Sequence, residues 1–161
     1  MHFSAEDPLA VHVVASAAHH VLHDLAECNG RVGFHRFLQS CFLPGGYQAF
    51  RRELSKPANF LKHANRDPNR VINGFKDMFN DAEIGISCLY LKGLEPTMSA
   101  EVKVFLVWYL SVHSNMVKDE FYTAIQMTRR DFEWLQQASR AEQLRLGNEL
   151  LERYTSSGLC G

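Results

Sequence analysis

Twenty residues without a helix breaker separate Asp7-Pro8 from Asn29-Gly30, and that stretch limits the chain more than anything else in it. The Asp7 carboxylate can accept from the unpaired N–H groups of a first helical turn, and a proline at the first helical position has no N–H to leave unsatisfied. Asn-Gly is the matching stop. Between the two, Val14, Ala17, Ala18, Val21, Leu25 and Cys28 recur at helical spacing. This spacing predicts a helix over 8–28 that buries that stripe.

The same grammar continues downstream. Asp67-Pro68 repeats the helix start, and Val71, Phe75, Met78, Phe79, Ala82, Ile86 and Leu89 keep helical spacing to Gly93, so a second long helix is expected over 68–92. Thr97 or Ser99 can cap a third, 100–116, apolar nearly all round from Val102 to Leu110 except at Lys103 and expected to be the most buried element. Thr128 with Asp131 sets up a near capping box for a last helix over 130–154, with Arg140 to Arg145 as a solvated stretch. Short pieces fill the gaps. The aromatic-rich run from Arg31 to Phe42 ends at Leu43-Pro44-Gly45-Gly46, Tyr47 to Leu54 is stopped by Ser55-Lys56-Pro57, and Ala58 to Asn65 and Lys118 to Met127 add a turn or two each. The expectation is an all-α fold: a single irregular helical bundle of three long helices and several short ones in one 161-residue domain.

Composition narrows the function classes. Seventeen Lys and Arg against eighteen Asp and Glu leave a net charge of -1, so no global field draws the chain to nucleic acid or anionic lipid, and any such binding has to be local. Cys28, Cys41, Cys88 and Cys160 form no C-x-x-C pair and read as reduced thiols, three of them in apolar helical settings. No apolar run is long enough to span a bilayer and no signal segment opens the chain, so a cytoplasmic protein without membrane contact is expected. G-x-S-x-G, Walker, G-x-G-x-x-G and H-E-x-x-H patterns are all missing from the sequence. No cofactor is implied, and Asp77 and Asp81 read as surface carboxylates.

Two clusters carry possible chemistry. In the first helix His12, Ser16, His19, His20, His23 and Glu27 fall within one sector nearly opposite the apolar stripe. His19, His23 and Glu27 could ligate a transition metal from successive turns, although a site normally needs a second element. The plainer reading is a polar face that is solvated or pressed on another polar surface, such as a dimer partner, with His12 as a core histidine whose ring N–H is satisfied. The second cluster is Asn59-Phe60-Leu61-Lys62-His63-Ala64-Asn65-Arg66-Asp67-Pro68. On a short helix Asn59 and His63 share one face and Lys62 and Arg66 the next. With Asp67 and His12 they would form a polar corner before a helix N-terminus, suited to an anionic ligand. Equally, Asp67 could cap that helix and pair with Lys62 or Arg66, leaving a purely structural corner.

This second string resembles the signature Asn-Phe-Phe-Lys-His-Ala-Asp-Arg-Asp-Pro of a family of short, uncharacterised bacterial helical proteins, differing at Leu61 and Asn65. Val11-His12 and Ala15 to Ala18 are similar to that family's first helix, and the likeness covers about the first 95 residues. It implies kinship and a helical fold, and no activity. Asn59 to His63 also resembles the second half of the motif of the HEPN superfamily of helical ribonucleases and toxins. Here Lys56, followed by Pro57, stands where that motif has Arg. That likeness implies RNA cleavage with His63 as acid or base and Lys62 and Arg66 holding phosphate. Three readings follow: a self-associating helical protein with an anion-binding corner, a ribonuclease or toxin-antitoxin component, and a metal-binding protein. The sequence leaves open whether the chain is an enzyme.

Overall fold

A computed structural model describes residues 7–30, 36, 39–40, 46–66, 69, 75–95, 97–113 and 133–156. None of these lies in a strand, and no described helix is long and apolar enough to cross a membrane. Helix α1 is Pro8–Cys28, α2 is Gly46–Lys62 followed by a 3-10 turn at Ala64–Arg66, α3 is Met78–Leu94, α4 is Ala100–Val112, α5 is Glu133–Gln137 and α6 is Arg140–Ser156. The all-α expectation holds. Most of the aromatic-rich run, the helix expected over 118–127, the Thr128 cap and the Asp67-Pro68 start lie outside the described residues.

Where capping chemistry was explicit, the boundaries follow it. Asp7 Oδ1 accepts from Leu9 N at 2.8 Å, Asn29 Nδ2 closes the last turn of α1 by donating to the Leu25 carbonyl at 2.7 Å, and Gly30 takes the left-handed φ of 69° that follows. Of the two candidate caps for α4, Ser99 is used: it accepts from Val102 N.

Helix α4, expected to reach 116, ends at Val112 with His113 as its C-cap, and three further boundaries differ from expectation. Residues 47–65 were expected as two pieces broken at Pro57, yet α2 runs through it. Loss of one N–H and the clash with the preceding turn costs about 3 kcal/mol, but Leu54 is fully buried there, and its carbonyl, one turn before the proline, accepts from His12 Nε2 at 3.0 Å. The second long helix is not formed at 75–77 but starts at Met78. Phe75 instead lies edge-on to His12 and to Phe79, and the Asp77 carboxylate bonds to Arg140 rather than capping the helix. The last helix is broken at Ala138-Ser139, where Ser139 Oγ accepts from Glu142 N and starts α6 afresh.

Helix α3 is central, with α1 on one side and α4 on the other, and α6 packs on α4. From Asn80 to Tyr90 only Ile84 escapes burial, so α3 rivals α4 as the most buried element. The apolar core is built on Ile86, Leu89, Phe105, Trp108, Leu110 and Leu135, and Trp108 Nε1 donates to the Gln143 carbonyl. Tyr109 is a core residue, while Trp134 is exposed.

Candidate functional site

Helix α1 is packed the opposite way round from its sequence pattern. Val14 is 67% exposed and Val21 58%, Leu25, Ala17, Ala18 and Cys28 are also exposed, whereas His12, Ser16 and His19 are buried. The stripe expected inside is outside. The cause lies on α3, which turns Asn80 and Glu83, both almost without exposure, toward α1. An apolar face laid on them would leave a buried carboxylate unpaired, which costs about 3–5 kcal/mol. The histidine face supplies donors instead.

His12 is a core histidine with both ring nitrogens engaged. Nδ1 lies 3.1 Å from Asn80 Oδ1 and Nε2 3.0 Å from the Leu54 carbonyl. Asn80 spends its amide hydrogens on the Pro8 carbonyl and on Asp77 Oδ1, so both His12 nitrogens face oxygen acceptors. Two turns on, His19 Nδ1 lies 2.7 Å from Glu83 Oε2, and Arg51 Nη1 sits 3.2 Å from the same nitrogen and 3.5 Å from the carboxylate. One nitrogen cannot both donate to Glu83 and accept from Arg51. The shorter, charge-assisted contact decides it, and His19 Nδ1–H donates to Glu83. His19 Nε2 is then left buried with no hydrogen-bond partner among the described residues.

Burial pushes the Glu83 carboxyl up, but the hydrogen bond and charge of His19, with the charges of Arg51 and His12, outweigh it and hold Glu83 below the ordinary carboxylate value. Burial, aided by the charges of His19, Lys62 and Arg51, pushes the neighbouring His20 imidazole down. Tyr47 and Tyr90, which close this end of the seam, are raised mainly by burial.

The expected metal set does not converge. His19 is turned inward onto Glu83, while His23 is half-buried beside Tyr90 with Nε2 3.9 Å from an exposed Glu27. Among the described residues no three His, Cys, Asp or Glu side chains are grouped so as to hold a metal ion.

On the other face of α3 stands a cluster that the sequence reading took for surface. Asp81 is fully buried. Arg140 grips it through Nη1 and Nη2 at 2.8 and 2.7 Å, grips Asp77 through Nε at 2.8 Å, and lies over the Trp108 ring. His113 Nε2 donates to Asp81 Oδ2 at 2.9 Å. Beside them is a cavity of about 550 Å³ walled by Asp77, Asp81, Val112, His113, Arg140 and Gln143. Arg140 and Gln143 are therefore not part of a solvated stretch, although Arg145, paired with Glu142 and Glu149, is.

Asn59, Lys62, His63 and Arg66 are all exposed at the end of α2, and Asp67 lies outside the described residues. His12 is buried and does not join them at the surface. Sequence reasoning missed Arg51, Asn80, Glu83, Asp81, His113 and Arg140. The available signal was polar residues at 80, 83 and 87, spaced by three and four inside an otherwise apolar helix. Comparison with models of known families, with curated proteins and with solved structures finds no match for this chain.

Proposed function

We propose that the protein binds single-stranded nucleic acid, RNA first, along the exposed face of α2. The observation that carries this reading is charge placement. Between 46 and 66 the chain has five cations, Arg51, Arg52, Lys56, Lys62 and Arg66, against one acid, Glu53, hence +4 within a molecule of -1. All but Arg51 are exposed. Arg52, Lys56, Asn59 and His63 follow one another at i, i+4, i+7 and i+11 with Lys62 and Arg66 alongside, and Lys62 and Arg66 have no carboxylate partner among the described residues. Lys56 shares its charge with Glu53 at 2.5 Å. A small anion calls for converging donors. A row of cationic and polar side chains along successive turns, at a pitch of about 5.4 Å, suits a chain of phosphates.

Anisotropy of a labelled single-stranded RNA across a salt series tests this. Three to four neutralised phosphates give a slope of log K on log salt of about -2 to -3, and joint replacement of Lys62 and Arg66 by Ala should flatten it by about 1.4. A wild-type protein that leaves the RNA free at low salt refutes the reading. Cleavage is the second readout, because His63 is exposed and the likeness to the HEPN superfamily rests on it. His63→Ala should then abolish cutting and leave binding in place, whereas a wild-type chain inert on RNA removes the nuclease reading alone.

A further inference from the structure

We propose that the cavity between α3, α4 and α6 binds a free α-amino acid with an apolar side chain, its ammonium group inside and its carboxylate at the rim. The cavity, about 550 Å³, falls in the size range of small-molecule sites. None of the α2 cations lines it, so the inference stands apart from nucleic-acid binding. What the cavity takes follows from the groups its walls leave unused. Gln143 is only 8% exposed. Its Nε2 donates to the Leu135 carbonyl at 3.0 Å, whereas its Oε1 accepts from no described residue. His113 spends Nε2–H on Asp81, so in the neutral imidazole Nδ1 is an acceptor, and it too has no partner among the described residues. Acceptors this deep normally find a donor, and both residues wall the cavity. The charge of the wall says which donor. Asp77 and Asp81 stand against the single guanidinium of Arg140, an excess of one carboxylate among the described residues. An ammonium group supplies three N–H bonds and the one positive charge.

The rim carries the opposite sign. Lys76 is exposed, lines the same cavity and has no carboxylate partner among the described residues, so it repels a simple amine and attracts an anion. Arg140 cannot take that anion, because its fork is already closed on Asp77 and Asp81. Lys76 and Asp77 are neighbours in sequence and both line the cavity, which sets the two opposite charges of the wall close together. A complementary ligand carries its own two charges equally close, as the ammonium and carboxylate on one α-carbon are. Met78 and Val112 supply the apolar part of the lining, and the volume admits a large side chain between them.

Isothermal titration calorimetry of the full chain with leucine, methionine and phenylalanine should show saturable binding at one site per chain. N-acetylphenylalanine lacks the ammonium group and phenethylamine lacks the carboxylate, so each should bind about tenfold more weakly than phenylalanine, the loss of one charge-assisted hydrogen bond. Lys76→Met changes an exposed side chain and should keep the circular dichroism and melting curve of the wild type. It should lose about tenfold in affinity for phenylalanine and nothing for phenethylamine, and Lys76→Arg should restore the binding of phenylalanine. No saturable binding by any of the three amino acids, equal binding of phenylalanine and either analogue, or a Lys76→Met variant unchanged toward phenylalanine would each overturn the proposal. Tighter binding of glutamate than of all three would overturn it as well, since the apolar walls would then not select the side chain.

Discussion

Glu83 shows most clearly how single residues set this structure. Its side chain is 1% exposed, with His19 Nδ1 at 2.7 Å and Arg51 at 3.5 Å. Burial works against its charge, and the partners more than restore it. Its folded value therefore lies below the unfolded one, near 4.5, which fixes the sign of the pH dependence. The stabilisation is complete above pH 4.5 and is lost as the pH falls below that value and through the lower folded one. Urea denaturation at successive pH values should show stability dropping on that acid limb. Glu83→Gln should weaken the fold near neutral pH by about 1–3 kcal/mol, because the buried His19 Nδ1–H and the part-buried Arg51 lose their charged acceptor, and should flatten the limb. Parallel acid limbs for the two proteins would remove Glu83 as the source. His19 Nε2, buried and without a partner among the described residues, adds a cost of about 1–3 kcal/mol in this same seam.

Among the helices, what could be read from sequence divides along a physical line. Caps are local, so Asp7, Asn29 and Ser99 act as their side chains dictate, and α1 spans the expected 8–28. Which face of α1 is buried is not local. It depends on Asn80 and Glu83 of α3, some seventy residues away, and periodicity within α1 carries no record of them. Pro57 misled for the same reason, since the burial of Leu54 and the bond from His12 hold a turn that propensity alone would end. The spacing that implied a metal set described one helix correctly and its neighbours not at all, because Glu83 rather than Glu27 is the acid that meets His19. Close packing gives a test at this scale. A Cβ on Gly85 would sit 3.0–3.1 Å from three atoms of the Tyr109 ring, so α3 and α4 approach as closely as they do because residue 85 has no side chain. Gly85→Val should destabilise by about 1–3 kcal/mol through overpacking, read from thermal melts. A variant as stable as wild type would mean that the Tyr109 ring moves freely and that the approach is not specified there.

Across the whole molecule one hydrogen-bonded chain joins five helices' worth of surfaces that the apolar core alone would leave free to slide. It runs from the Leu54 carbonyl to His12 at 3.0 Å, to Asn80 at 3.1 Å, to Asp77 at 3.2 Å, to Arg140 at 2.8 Å, to Asp81 at 2.7 Å and to His113 at 2.9 Å. These links tie α2 to α1, α1 to α3, and α3 to both α6 and the end of α4. A buried polar chain specifies register because each member is costly to leave unsatisfied, and displacing one loosens the next. His12 and Arg140 share no contact, yet they are joined in series through Asn80, which His12 meets, and Asp77, which Asn80 and Arg140 share. A double-mutant cycle with His12→Gln and Arg140→Gln, measured by urea denaturation, should therefore show a coupling of more than about 0.5 kcal/mol, where unconnected sites add to within about 0.3–0.5 kcal/mol. Strict additivity would reduce the chain to separate pairs, each holding its own two helices, and the register of the bundle would then rest on its apolar packing alone.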